Sequence, residues 1–383
     1  MTINSSPKVE SIKIFTLFFI SLILSLSILN RWIITDLGLA SFGRVWQYYV
    51  SYFDYGFLRR SFFGTFLDIT NINKIVSDPY VFSYFLYAFK ILLISTITLT
   101  YLLKNRVFNN IYGYAAIFLS PAFILQLAYA TGSQDTELMI ILCIIFFYVR
   151  TWSLLILLSI IGVMIHELYV FLFPAALLCV YIKRNNSFEI IPREVFKSII
   201  ISILLFISLL LVLNCGVEVD QKDFEETMAN KMNYAAYNHG FWSGYYEIFS
   251  SVQQNADDTG RTLSKIYSNI LYLIIPVSYM ILWAFLNSYY SKEVLWKKII
   301  IFIFLVFPIL ISFVATDFYR WVGMSVNLSI FFAIMYSKIK GDFIPKKMFI
   351  LLLLFSVFAP LGAAGLERPF PVHQLIIEKF FNF

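Results

Sequence analysis

The stretch TWSLLILLSIIGVMIHELYVFLFPAALLCVYIKR, residues 151–184, decides how this chain is read. As one helix at 1.5 Å per residue, residues 152–183 would be about 48 Å long, well beyond the roughly 30 Å hydrocarbon core of a bilayer. As two helices of about 14 residues, the stretch makes two short segments of about 21 Å each. A single crossing would also move every later basic connector to the opposite side of the membrane, against the positive-inside rule. The stretch is therefore expected to form a short hairpin, spanning or re-entrant, with His166 and Glu167 near its tip, although neither Gly nor Pro marks the turn.

The rest of the chain supports a membrane reading. Hydrophobic residues make up 60% of the 383 and charged residues 14%, and mean hydropathy is +0.78. A soluble domain could not cover its surface with so few polar groups. The roughly ten-residue alternating segments of a membrane β-barrel are absent. The expected fold is all-α: a polytopic helical membrane protein, one integral domain over 1–383 with about eleven transmembrane helices (about 10–12). Apolar runs place them at 12–31, 80–103, 109–130, 136–150, 152–165, 168–183, 197–215, 267–288, 298–316, 321–337 and 347–364.

Lys and Arg, 29 against 23 Asp and Glu, are then read as topology. They collect in short connectors: Lys104 and Arg106, Arg150, Lys183 and Arg184, Lys292, Lys297 and Lys298, then Lys338, Lys340, Lys346 and Lys347. Those connectors are expected in the cytoplasm, with the N-terminus inside and the C-terminus outside. Two long connectors, 32–79 and 216–266, fall outside, where aromatic residues mixed with polar ones predict helices lying in the interface. The first run, Ile12 to Asn30, has no small-residue cleavage site and meets RWIITD at once, so it reads as a retained anchor. Cys143, Cys179 and Cys215 lie in or at the end of apolar runs and read as small core residues. No nucleic-acid reader motif accompanies the basic residues, so lipid and not nucleic acid is the expected partner.

With this topology the unusual polar residues gather on the outer side. FDYGFLRRSFFG, residues 53–64, sets Asp54 beside Arg59 and Arg60. The arginines either anchor at lipid phosphates or grip a pyrophosphate with their planar forks. Asp54 either pairs with Arg59, orients it, or serves as a base. Gln134, Asp135 and Glu137 lie in the turn ATGSQDTE. His166 and Glu167 are adjacent, about 100° apart on a helix, which does not suit a metal pair, and no metal or cofactor is expected. An ionisable pair so deep in apolar sequence is a functional candidate. Asp317 and Arg320, in ATDFYRW, are spaced for an intrahelical ion pair or a phosphate contact. Arg368 and His373 flank prolines near the end; His239 reads as an interface residue; Lys90, inside a span, either snorkels or faces the bundle interior.

Soluble-enzyme motifs for nucleotides, dinucleotides or an activated serine are missing, and the inner connectors are too short for a nucleotide-sugar domain. The chemistry that fits is glycosyl transfer on the outer face. Arg59, Arg60 and Arg320 would stabilise a pyrophosphate leaving group, with Asp135, Asp317 and Arg368 completing the binding set. Glu167, Asp54 or His166 would be the base for the acceptor hydroxyl.

YGFLRR followed by Gly, IHE before an apolar run, and DFYRW together resemble the multispanning proteins of bacterial surface-polysaccharide loci, the Wzy-type O-antigen and capsule repeat-unit polymerases. The arginine–glycine motif described for some of them is missing, since neither Arg59 nor Arg261 has Gly eleven positions on. The resemblance implies joining undecaprenyl-pyrophosphate-linked oligosaccharide units, for lipopolysaccharide or capsule, at the periplasmic face of the bacterial inner membrane, beside other polysaccharide-assembly proteins. Two alternatives stay open. A GT-C-type glycosyltransferase would use a polyprenyl-phosphate sugar, with Asp54 as its first-loop acid and a metal ion held by Asp54 and Asp135 as its mark. A non-catalytic transporter or flippase of lipid-linked saccharide would need charges through the membrane depth or broken helices in two halves.

Overall fold

The computed structural model describes residues 7–34, 45–76, 78–128, 134–214, 219–232, 270–313, 318–341 and 343–358. Among them every regular element is helical. In chain order the longer helices are α1 (Pro7–Ile34), α2 (Phe62–Thr70), α3 (Pro79–Asn105), α4 (Ile111–Phe118), α5 (Pro121–Ala128), α6 (Asp135–Phe147), α7 (Trp152–Ile165) and α8 (Tyr169–Asn185). They continue as α9 (Pro192–Asn214), α10 (Gln221–Met232), α11 (Ile270–Tyr290), α12 (Leu295–Val306), α13 (Phe318–Lys340) and α14 (Lys346–Phe358). Among the described residues four stretches are long and apolar enough to cross a membrane: Pro79–Asn105, Pro192–Leu213, Leu295–Ser312 and Arg320–Lys340.

Helix α13 is the axis of the bundle and packs against α5, α6, α11 and α12. Its small residues, Gly323, Ser325, Ser329, Ala333 and Ser337, are buried and let neighbouring backbones approach. Amides tie it in place: Asn327 donates to the Ala122 carbonyl at 3.1 Å, and Asn287 of α11 donates to the Ser329 carbonyl at 3.0 Å. Packing and interhelical hydrogen bonds of this kind hold helices together where hydrocarbon removes the hydrophobic drive.

The single span expected over 109–130 is two helices. Pro121 has no N–H and cannot continue α4, so it starts α5 as a first-turn residue. The Ser120 carbonyl accepts from Ile124 N–H at 3.0 Å, and the Ser120 hydroxyl meets the Tyr279 hydroxyl at 3.1 Å. The break therefore keeps its polar groups bonded. The span expected at 298–316 likewise tightens from α12 into a 3-10 helix over Phe307–Phe313, where Pro308 interrupts the α pattern.

The hairpin at 152–185 is present, and its turn explains why no Gly or Pro marks it. His166 is extended, with φ −152° and ψ 122°, and its N–H still closes onto the Gly162 carbonyl at 2.9 Å. Its Nδ1 accepts the Leu168 N–H at 3.3 Å, and its carbonyl accepts the Tyr169 N–H at 2.9 Å. The imidazole does what Asn or Asp does in an Asx turn. Tyr169 then folds over Gly162, where a Cβ would lie 2.7 Å from the ring, and its hydroxyl reaches Ser159 Oγ at 3.2 Å.

The two ends of the bundle differ in character. At one end Lys338 meets Asn105, Lys183 donates to the Ile145 and Phe146 carbonyls, and Arg184 and Lys197 share Glu194. These are the basic connectors. At the other end lie the 45–76 segment, the first turn of α6, the hairpin tip and the start of α13. Helix α10 lies on the 45–76 segment there, Phe224 packing 6.5 Å from Trp46 and 5.4 Å from Tyr55 between ring centroids. The described parts of the two long connectors thus pack against each other.

Candidate functional site

The site is built on a sharply folded piece of chain. Ser51 and Asp54 bracket the single turn Tyr52–Tyr55, and Gly56 reverses the chain with φ 69°. Helix α2 lies so close to the preceding strand of backbone that a Cβ on Gly64 would sit 2.0 Å from the Val50 carbonyl oxygen. Between the two, Arg60 takes a left-handed φ of 65°, a conformation that costs a non-glycine residue about 1 kcal/mol. Gln134 holds it there by donating Nε2 to the Arg60 carbonyl at 2.8 Å.

That backbone aims both arginines at the hairpin tip. Arg60 Nη2 is 3.0 Å from Glu167 Oε1, and Arg59 Nη1 is 3.9 Å from the same oxygen. The second oxygen, Oε2, is 3.3 Å from His166 Nδ1. One residue after Gln134, Asp135 takes Arg320 in a two-pronged contact through Nε and Nη2. The Arg320 guanidinium lies over the Trp321 ring, 4.8 Å from its centroid. One helical turn holds the next pair: Glu137 meets Lys90 of α3, and Lys90 also donates to the Tyr48 hydroxyl at 2.7 Å. Lys90 and His166 are each only 2% exposed.

Charge sets the protonation at the hairpin tip. Burial raises the Glu167 carboxyl, but Arg60, His166 and Arg59 outweigh it and hold the group well below the usual carboxylate range. Burial lowers His166, Glu167 pulls it up, and Arg60 pushes it down, leaving it below its ordinary value and neutral at pH 7. Arg59, Arg60 and Arg320 thus gather around the Glu167 and Asp135 carboxylates. Such a cluster suits an anion with several oxygens.

Several sequence-predicted residues meet here: Arg59, Arg60, His166, Glu167, Asp135 and Arg320. Asp54 does not. It turns back to the Ser51 N–H at 3.2 Å and Oγ at 2.8 Å, and pairs with Lys231 of α10. The turn at Gly56 separates it from the arginines, so it does not orient Arg59. Asp54 with Lys231 and Asp135 with Arg320 are separately matched, and the described residues contain no group of three or more His, Cys, Asp or Glu arranged for a metal. Lys90 faces the bundle interior and does not snorkel. Asp317, Arg368, His239, His373 and Cys215 lie outside the described residues. Cys143 and Cys179 are buried free thiols.

Two participants escaped sequence reading. Lys231, which also stands 3.6 Å from Asp68, sits on a helix that looks like an acidic, solvated one. Its apolar stripe of Phe224, Met228 and Met232, at four-residue spacing, was the usable signal. Tyr48 carried no signal beyond its aromatic neighbours. No protein-family model matches the chain, and no curated protein or solved structure is significantly similar to it.

Proposed function

We propose that this chain is a bacterial inner-membrane glycosyltransferase of the polymerising kind, acting on polyprenyl-pyrophosphate-linked oligosaccharide units. The observation that carries the reading is the convergence of Arg59, Arg60 and Arg320 around Glu167 and Asp135 at one end of the bundle. It is the end away from the basic connectors. Under the positive-inside rule that end is periplasmic, the N-terminus is cytoplasmic and the C-terminus periplasmic, and the shorter apolar helices complete about eleven crossings.

In this reading the arginines receive the pyrophosphate as charge develops on it during cleavage of the sugar–oxygen bond. Glu167, tied to both arginines and strongly ionised, orients them and is a poor base. His166 is the neutral titratable group beside it; it takes the acceptor proton at Nδ1, giving up the Leu168 N–H, and the Glu167 carboxylate 3.3 Å away stabilises the imidazolium as it forms. The interfacial layer of 45–76 and α10 would admit the lipid carrier and the sugars.

A second reading is favoured by a different observation. The buried Lys90–Glu137 pair midway along α3, with the broken helices α4–α5 and α7–α8, suits passage of a polar ligand. A gel of surface polysaccharide from a host lacking the gene separates the two. Collapse of a long ladder to one repeat unit, restored with the gene, supports polymerisation. Loss of every unit supports transport, and an unchanged ladder sinks both. Asp54→Asn should leave the ladder intact; its loss would favour a GT-C-type enzyme with Asp54 as catalytic acid.

A further inference from the structure

At the other end of α8, about 25 Å from the hairpin tip along its 17 residues, lies a cavity. Helix α8 forms its floor, with α9 on one side and α12 on the other. It encloses about 570 Å³ and is lined by Leu178, Tyr181, Phe188, Ile199, Trp296 and Phe304, among other apolar residues. Its wall α9 is apolar outward as well, Phe196 and Ile207 being 64% and 47% exposed. Both α9 and α12 belong to stretches long and apolar enough to stand in a bilayer.

We propose that this groove binds one anionic glycerophospholipid of the surrounding bilayer. The lining is almost wholly apolar: the Ser198 and Ser202 hydroxyls turn back to the Glu194 and Ser198 carbonyls at 2.9 Å each, and the Tyr181 hydroxyl is taken up by the Glu189 carbonyl at 2.6 Å. A glycan or a peptide backbone would leave its own polar groups stranded there, whereas hydrocarbon would not. From Val195 to Phe206 the groove follows α9 for about 17 Å, close to half of the roughly 30 Å core. That length matches an acyl chain of one leaflet and falls far short of a polyprenyl tail.

One rim supplies the charge. Phe188 and Trp296 meet there with ring centroids 5.9 Å apart, and the Lys297 ammonium stands 5.6 and 5.5 Å from them and 3.3 Å from Glu293 Oε2. Arg184 and Lys197 share Glu194 beside the groove, and Arg193 is exposed next to them. Over 183–198 and 292–298 basic residues clearly outnumber acidic ones. A lipid phosphate at this rim and a tail in the groove satisfy both halves of the site. The proposal requires α9 and α12 to stand in the membrane and nothing from the arginine site.

Native mass spectrometry of the purified full chain, offered equal phosphatidylglycerol and phosphatidylcholine of matched chains, tests it. One phosphatidylglycerol should be retained about ten-fold over phosphatidylcholine. Ser202→Trp and Ile203→Trp, which fill the groove, should each cut retention about ten-fold, and Lys297→Gln should bring the two lipids close to parity. Arg60→Ala should change none of this. Monodisperse elution and unchanged helicity qualify the variants; if the Trp variants fail to fold, crosslinking of wild-type protein by a photoreactive acyl chain must label α9 or α12. Equal retention of both lipids would overturn the proposal. So would no change in folded Trp variants, a dimer lost in Ser202→Trp, or displacement by a polyprenyl phosphate.

Discussion

Arg60 and Glu167 lie 107 residues apart in the chain and meet at 3.0 Å. Arg60 belongs to the folded segment that precedes α2, and Glu167 to the break between α7 and α8. The contact fastens the hairpin tip to the segment above it and fixes the direction of two guanidinium groups. It also ties the left-handed backbone at Arg60 to the site, so that local strain and ion pairing serve one geometry.

Truncating the acid should therefore be worse than truncating an ordinary loop residue. Glu167→Ala removes the carboxylate that two largely buried guanidinium groups share, a change that costs about 3 kcal/mol. Thermal unfolding in detergent should shift down by several degrees. Arg60→Ala should insert into the membrane and yet fail to restore the polysaccharide ladder, and Arg60→Lys should fail as well, since an ammonium lacks the planar fork. Wild-type ladders in Arg60→Ala and Glu167→Ala would remove both residues from the site.

How far the sequence could be read follows from the range of each contact. The apolar helices are local patterns and were legible, as was the hairpin, whose existence follows from charge parity in the connectors. The turn at 166–168 was not, because an imidazole stands in for Asn or Asp and the enabling glycine, Gly162, lies a helical turn earlier. The break at Pro121 was masked by unbroken hydrophobicity on both sides. The gathering of Arg59, Arg60, Asp135, Glu167 and Arg320 at one end followed from topology, but their pairing did not. Nearness in sequence favoured Asp54 as the arginines' partner, and a reversal at Gly56 gave that place to Glu167.

The Asp135–Arg320 pair separates stability from function. Asp135→Ala takes the two-pronged carboxylate from a guanidinium that is 9% exposed and should cost about 3–5 kcal/mol. Replacing both partners by apolar residues, Asp135→Leu with Arg320→Met, removes the buried charge and should recover most of the melting temperature. The ladder should stay lost in the double variant if Arg320 holds substrate. Recovery of both would make the pair purely structural.

Gly162 should tolerate no side chain. It lies within α7, where alanine would otherwise gain about 1 kcal/mol of helix propensity. Its Cβ would instead press on the Tyr169 ring, which Ser159 and the turn hold in place. Overpacking of this kind costs about 1–3 kcal/mol, so Gly162→Ala should lower the melting temperature. The double variant with Tyr169→Leu should regain part of it. An unchanged melting temperature in the single variant would mean that the ring moves freely and does not close the hairpin.

His166 predicts an acid-sensitive hairpin. Its folded pKa lies below the ordinary 6.5, chiefly through burial and further through Arg60, with Glu167 opposing. The unfolded chain therefore binds a proton at His166 before the folded chain does. The stability this residue allows is complete above about pH 6.5 and falls as pH drops from there towards the depressed folded value. Glu167 contributes in the same direction only at lower pH, because its carboxyl stays ionised well below its ordinary range. Between pH 7 and pH 5 the melting temperature of the wild type should fall, and His166→Gln should flatten that part of the curve. Parallel curves for the two proteins over this window would show that another group carries the acid response and that His166 is not held neutral at the tip.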